Sequence, residues 1–397
     1  MTIGRNHGSL GVPGASIPRD HGEHKSLGWV TNLAAPYRRP VWDFIAGEVD
    51  LTVYLLESNS MFNKDRGNRG KEWATTGGRA YKTIEAPTWR LSRGELTVYT
   101  AKHAFLERHH DAVILGGWES PAYWQTLFAA RRGNLPTIGF FESTLRTSQF
   151  RSGPIARARR LFFRLVDAVV VPGSAARDAV LAMGVPNEKI YVGFNAVDVR
   201  QIHQAAEKSR SSCAAPTHSP GHEFIYVGRL IGLKNLRSLL KAFALVRAPE
   251  DRLTIVGQGS ERSVLEDLAN HLGLGSSVVF AGLMPYSELG PTLAAAHTLV
   301  LPSTKEVWGL VVNEALAAGL QVVVSDACGV ADSVIGMRGV FITGTSVVGL
   351  ADGLLKARNS WHGPTHLPDV LEKTPEAFGR VFLDAVRSTS PTIGQSS

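Results

Sequence analysis

The chain has 397 residues, 44% of them hydrophobic and 19% charged, with a formal net charge of +7. That length suits two α/β domains, and the apolar content fills two cores, which excludes a disordered or low-complexity protein. Two cysteines, Cys213 and Cys328, exclude a disulfide framework, and no apolar stretch reaches the ~18 residues of a membrane-spanning helix.

Residues 1–26 are rich in Gly, His, Pro and Arg and lack an apolar core, so they read as a disordered leader without a secretory signal. A first domain is predicted over residues 27–198. Its strands are expected at 27–33, 50–56, 112–115, 137–141 and 169–171. Helices are expected at 41–46, 97–108, 121–132, 155–165 and 174–183. Residues 58–76 read as a charged loop. Residues 194–206 read as the crossing point, and 199–222 as a linker whose Ser/Pro/His-rich part, 207–222, is a flexible surface loop. A second domain is predicted over residues 223–362. Its strands are expected at 224–227, 253–256, 278–281, 298–301, 321–325 and 341–342. Helices are expected at 236–248, 261–272, 286–296, 309–319 and 347–359. A closing segment, 363–397, carries a last helix at 375–386, with Thr374 as N-cap and Pro375 at the first helical position, then a frayed tail. Strand–helix alternation argues for two parallel, doubly wound sheets.

The chemistry concentrates in LPSTKEVWGLVVNEALAAG, residues 301–319. A buried strand, a loop and a helix start place Glu306 in the loop and Glu314 on the helix. Between them lie the amides of Gly309, Leu310 and Val311. A helix start attracts phosphate, whereas carboxylates accept hydrogen bonds from sugar hydroxyls. The stretch is built for a phosphorylated sugar. A second constellation, Gly228, Arg229 and Lys234 in YVGRLIGLKNL, follows the first strand of the same domain and offers cations to a diphosphate. Each cation alone reads equally as a surface residue. The spacing fits neither a Walker loop nor G-x-G-x-x-G. Gly257 in VGQGS turns the chain after the next strand, with a structural role and a ligand role about equally open.

VGRLIGLKNL, VGQGS, VVFAG and PSTKEVWGLVVNEALAAGLQVVVSD, in that order, resemble the retaining glycosyltransferases of family four, the group 1 glycosyl transferases. The resemblance is specific over residues 224–335, weaker over 167–198 and only an outline over 27–160. It implies the GT-B architecture, two Rossmann-like domains facing a central cleft, with the last helix returning to the first domain. It implies transfer of a hexose, with retention and without metal or cofactor, from a nucleotide-diphosphate sugar, UDP-linked by expectation. Arg229 and Lys234 would stabilise the departing diphosphate. Glu306 would hold the donor sugar and Glu314 the ribose hydroxyls. The amides of Trp308, Gly309, Leu310 and Val311 would face sugar and phosphate. The base would lie near Leu283 and Met284. No D-x-D occurs in the chain.

The first domain departs from the family pattern. The expected glycine-rich loop reads NLAAPYR at residues 32–38, and the segment expected to carry a histidine reads GFFESTLR, with Phe141 and Glu142 there. Glu142 reads as a binder of a hydroxyl or amine, or as a helix-start acid. Tyr37, Arg38, Arg69, Trp73, Trp118 and Glu119 are further candidates for the acceptor: a sugar, an aminocyclitol, a lipid-linked sugar or a glycan. His109 and His110 read as a helix end rather than metal ligands.

Charge is uneven. Residues 1–200 hold 26 Lys and Arg against 18 Asp and Glu, and the rest holds 16 against 17. The basic helix at 155–165 either packs its Phe and Leu inward or rests on an anionic membrane face. A cytoplasmic protein is expected, with a peripheral position at the inner membrane face as the alternative. The competing functions are a GT-B-type sugar-nucleotide epimerase, a phosphorylase-like enzyme, a catalytically dead sugar sensor and a nucleic-acid-binding protein. The last lacks any RNA or DNA motif, so no nucleic-acid partner is expected.

Overall fold

The computed structural model describes residues 25–57, 80–93, 96–107, 109–148, 150–212 and 221–389. Among the described residues the first half lays down nine strands: β1 (Ser26–Thr31), β2 (Asp50–Leu55), β3 (Lys82–Glu85), β4 (Thr88–Arg93), β5 (Leu96–Ala101), β6 (Ala112–Leu115), β7 (Thr137–Phe140), β8 (Ala168–Pro172) and β9 (Ile190–Gly193). Its helices are α1 (Arg39–Glu48), α2 (Pro121–Arg132), α3 (Gly153–Leu165) and α4 (Ser174–Leu181). Seven strands pair in parallel in the order β3-β2-β1-β6-β7-β8-β9, while β4 and β5 form a separate antiparallel pair. Strands such as AVIL and AVVVP are buried along their whole length, as a sheet covered on both faces requires.

A helix, α5 (Val199–Ser212), leads into the second sheet. Its strands are β10 (Glu223–Val227), β11 (Arg252–Val256), β12 (Val278–Gly282), β13 (Thr298–Leu301), β14 (Gln321–Ser325) and β15 (Val340–Thr343), all parallel in the order β12-β11-β10-β13-β14-β15. The helices are α6 (Leu236–Val246), α7 (Arg262–His271), α8 (Leu289–Ala294), α9 (Leu310–Ala317), α10 (Ala331–Val334), α11 (Val347–Asn359) and α12 (Pro375–Thr389). Strand order reverses beside β1 in the first sheet and beside β10 in the second. Crevices at such switch points, beyond the carboxyl ends of the strands, are where ligands bind.

The last helix leaves the second sheet and covers the first. Thr374 caps it, accepting from Ala377 N at 3.2 Å, with Pro375 opening the first turn. Phe378 and Phe382 then bury against Trp29, Trp42, Ile45 and Phe140 in one cluster. The Phe382 ring lies 4.6 Å from Trp29 and 5.3 Å from Phe140.

Several expectations are corrected. Residues 97–108 do not form a helix: Thr97, Val98 and Tyr99 lie in β5, paired with Ser92, Leu91 and Arg90. The β-branched run suits a pleated surface better than a helix. Residues 199–212 are not linker or loop but α5, because Val199, Ile202 and Ala206 bury one face against the second sheet's core. Residues 286–296 divide into a 3-10 turn, Tyr286–Glu288, and the short α8. Strand β1 starts at Ser26, inside the expected leader, and α12 runs to Thr389, past the expected start of the tail. Strands β3, β4 and β9 and helix α10 were not anticipated. The remaining leader, the charged loop at 58–76 and residues 213–220 lie outside the described residues. Among the described residues no helix is long and apolar enough to cross a membrane.

Candidate active site

The second sheet builds its site from two loops stitched together across the switch point. After β10 the chain turns through Gly228 and Arg229 into a 3-10 turn, Gly232–Lys234. Asn235 follows at φ 58°, a left-handed conformation that asparagine tolerates better than most residues. Its Nδ2 donates to Pro302 O at 3.1 Å and Thr345 O at 2.9 Å, while Thr304 N donates to Leu233 O at 2.9 Å. This tethering brings the Lys234 ammonium onto Glu306 Oε2, and Ser303 Oγ lies 3.5 Å from the same oxygen. Both charged side chains are largely buried. Asn235 and Ser303 were missed in the sequence. The Lys-Asn pair just before a helix was the available signal for the first.

The loop after β13 is held from below. Gly329 N donates to Glu306 O at 3.0 Å and Val330 N to Trp308 O at 3.1 Å. Gly309 sits at φ 101°, and a Cβ there would lie 2.7 Å from Leu301 Cδ2, so only glycine fits. Helix α9 starts from it, with Val312 N donating to Gly309 O at 2.9 Å. The amides of Gly309, Leu310 and Val311 therefore precede the helical hydrogen-bond ladder. The Trp308 side chain is buried, its ring edge-on to Phe194 at 5.0 Å and its Nε1 donating to Asn313 Oδ1 at 3.3 Å.

Glu314 points inward from α9 and is buried, and the Tyr286 hydroxyl donates to it. Burial pushes its carboxyl from 4.5 up to about 7. A carboxyl raised in the folded state keeps a proton that the unfolded chain has released. Stability from this group is therefore present at low pH and lost as pH rises from about 4.5 through about 7. Glu314→Gln is expected to flatten the melting temperature across that window; the same slope in both proteins would discount the group.

Beside these loops lies a cavity of about 430 Å³, lined by Gly228, Arg229, Gly257, Leu283, Met284 and Tyr286 among others. Gly257, at φ 136°, packs so closely on the preceding turn that a Cβ would sit 1.9 Å from Gly228 O. Its walls are mainly apolar side chains and glycine backbone, which suits a flat heterocycle.

The first sheet carries a second cavity, of about 390 Å³, beyond the ends of β1, β6 and β7. Tyr37, Arg38, Trp118, Glu119 and Glu142 all line it, so five of the seven acceptor candidates are brought together. Arg69 and Trp73 lie outside the described residues. Glu142 is not a helix-start acid, since α3 begins only at Gly153. Instead its Oε1 accepts from Arg38 Nη2 at 2.8 Å and from Asn195 Nδ2 at 3.1 Å. The buried Arg38 guanidinium also lies 4.6 Å over the Phe140 ring. On the opposite wall Asn32 donates to Glu119 at 3.1 Å and accepts from Tyr123 at 2.8 Å.

Two asparagines link the two halves. Asn313 Nδ2 donates to Asn195 O at 2.7 Å, joining Glu142 and Arg38 on one side to Trp308 on the other. Neither asparagine stood out in the sequence, although a polar residue within the apolar run LVVNEALA was a signal. His109 and His110 do not end a helix; they follow the β4–β5 hairpin. With Glu107 they form the one trio of potential metal-ligand atoms among the described residues. Both His110 ring nitrogens are already engaged, by Ser26 Oγ and the Tyr54 hydroxyl, each at 2.8 Å.

Comparison with known families decides the class. Residues 63–201 match the model described as Glycosyltransferase Family 4, and residues 215–366 match Glycosyl transferases group 1. The chain belongs to the group 1 glycosyl transferases. A glycogen synthase of Mycobacterium tuberculosis is 31% identical over 250 residues, 61% of this chain and 56% of that protein. A GDP-mannose-dependent alpha-mannosyltransferase of the same organism is 30% identical over 214 residues, 52% and 53% of the two chains. The chain thus spans about half the length of the curated relatives it matches. Among solved structures, the lipopolysaccharide outer core galactosyltransferase WaaB superposes with a TM-score of 0.66 at 16% identity, over 91% of this chain and 99% of that one. Anabaena HepE in complex with UDP gives 0.61 at 15%, over 93% and 98%. At such identities these neighbours speak to the fold, which is GT-B, as the family resemblance implies. In this group 1 glycosyl transferase the two cavities described above lie one on each parallel sheet, beside its switch point.

Proposed function

We propose that the protein transfers a hexose from a UDP-sugar to a hydroxyl, with retention of anomeric configuration and without metal. The observation that carries this reading is the meeting of Lys234, Glu306 and the start of α9 at the switch point of the second sheet. A cation and oriented amides there receive a diphosphate, and carboxylates on either side accept from sugar hydroxyls. The heterocycle-sized cavity beside Arg229 receives the base. The UDP complex of HepE, a protein of the same fold, supports uracil there.

In the proposed step the bond from the anomeric carbon to the diphosphate oxygen breaks. A bond to the acceptor oxygen forms on the same face, and the acceptor proton passes to the departing phosphate. Arg229 and Lys234 balance the charge that develops on that phosphate, so no protein nucleophile takes part. The first-sheet cavity holds the acceptor, a sugar, aminocyclitol, lipid-linked sugar or glycan. Glu119 and Glu142 offer acceptor oxygens, and Trp118 a ring face for stacking.

Thermal unfolding against a panel of nucleoside diphosphates and nucleotide sugars tests the donor site. At a hundredfold excess over Kd a ligand adds about 2.7 kcal/mol of stability, a shift of several degrees. UDP and a UDP-sugar are expected to give it. A flat response to every diphosphate would overturn the reading. NMR of the donor incubated alone separates transfer from epimerisation, since an epimerase alters the donor without an acceptor.

A further inference from the structure

We propose that the outer face of α3, with the loop before it, docks on an anionic lipid surface. Between Glu142 and Asp167 the chain carries six arginines and no acidic residue. Arg159 turns inward, its guanidinium 5.5 Å over the Trp118 ring and its Nη2 donating to Phe150 O at 3.3 Å. Arg146 pairs with Asp326 of the second sheet at 3.2 Å. The other four, Arg151, Arg157, Arg160 and Arg164, are exposed. The same stretch also exposes four large apolar side chains, two in the loop and two on the helix: Leu145 at 53%, Phe150 at 57%, Ile155 at 43% and Leu161 at 52% exposure.

The helix therefore does two things at once. Ala156, Phe162 and Phe163 bury against the first sheet, as the packed reading of the sequence expects. Leu161 remains outside on the same side of the helix as Arg157, Arg160 and Arg164, and Ile155 is exposed at the first turn, beside the loop that leads into the helix. An ordinary solvated face mixes both signs of charge and does not cluster large apolar groups. This composition instead matches a helix lying at a membrane interface, with apolar side chains at the headgroup boundary and arginines on the phosphates. A polyanion such as DNA would satisfy the arginines but gain nothing from the four apolar side chains.

Position adds a consequence. The loop that leads into α3 begins at the wall of the first-sheet cavity, at Phe141, Glu142 and Ser143, and Trp118 of that cavity rests on Arg159. Docking by this face holds the cavity beside the lipid surface. The surface goes beyond the transfer reading and stands or falls separately from it.

Co-sedimentation of the full chain with vesicles provides the test. One set is phosphatidylcholine alone, and the other has a third of it replaced by phosphatidylglycerol. Binding is expected only to the second. Each basic residue near such a surface is worth about fivefold in affinity, so reversing Arg157, Arg160 and Arg164 to Glu is expected to weaken binding at least about a hundredfold. The double variant Ile155→Ser, Leu161→Ser is expected to lose the binding that persists in high salt. Because all five side chains are exposed, melting temperatures and UDP binding serve as fold controls for the variants. Absence of binding to the anionic vesicles, or wild-type binding by the triple variant, overturns the proposal. So does salt-sensitive binding to duplex DNA as tight as that to vesicles and unchanged in the apolar variant.

Discussion

Lys234→Ala is expected to lower transfer by about 10²–10³-fold, the scale seen when one preorganised group at a developing negative charge is removed. The structure gives the substitution a double effect. In the proposed step Lys234 carries the positive charge for the departing phosphate, and in the structure it also neutralises Glu306 in a largely buried site. Without it, Glu306 becomes an unpaired carboxylate facing the place proposed for a diphosphate. Affinity for UDP should therefore fall along with turnover. Glu306→Gln is expected to abolish detectable transfer too, but through loss of the sugar contact, with UDP affinity retained. Initial rates with a UDP-sugar, together with calorimetric Kd values for UDP, distinguish the two. Turnover within twofold of wild type for Lys234→Ala would remove this lysine from the reaction. The double variant is informative as well: if repulsion by Glu306 contributes, Lys234→Ala combined with Glu306→Gln binds UDP more tightly than Lys234→Ala alone.

The second large effect is on stability. Phe382→Ala is expected to cost about 3–5 kcal/mol, the range for deleting a buried phenylalanine ring. Phe382 is fully buried and lies at the centre of an aromatic cluster, with Trp29, Phe140 and Phe378 within 5.3 Å by ring centroids. The neighbours are large rings fixed on two strands and a helix, so they close the gap poorly. Because the cluster belongs to the first sheet, urea unfolding followed by tryptophan fluorescence should show a separate, earlier transition for that half. UDP binding by the second half should survive up to the later one. A loss below about 1 kcal/mol would mean that the last helix contributes little to the first core.

The local geometry of the proposed donor side was legible in the sequence to a degree that the proposed acceptor side was not, for a physical reason. Gly228, Arg229, Lys234, Gly257, Glu306 and Gly309 lie in short loops directly after strands or at a helix start, and Glu314 lies in the helix that follows. There, backbone geometry and phosphate chemistry restrict the residue at each position. The structure adds what no local pattern carries, such as the pairing of Lys234 with Glu306 across 72 residues and the tether from Asn235 to Pro302 and Thr345. On the acceptor side the same difficulty is larger. Arg38 meets Glu142 across 104 residues, and Asn195 meets Asn313 across 118. Each of those side chains reads alone as an ordinary loop or helix residue. Residues 97–108 misled because their apolar spacing fits a helix, while the cross-strand partners that make β5 a strand lie in β4, where no strand was anticipated.

The last helix also imposes an order of events on synthesis. All seven strands of the first parallel sheet have emerged by Gly193, yet Phe378 and Phe382, which cover Trp29 and Phe140, belong to α12, which begins at Pro375. At ~5–20 residues per second, the roughly 180 residues between them take about 10–40 seconds to be made. Throughout that interval the nascent chain presents one apolar face of a nearly complete sheet, while the whole second domain is built behind it. The two halves thus mature in the reverse of their order in the gene: the later-made second half can close its own core first, and the first half is finished only when the C-terminal helix is free to fold back.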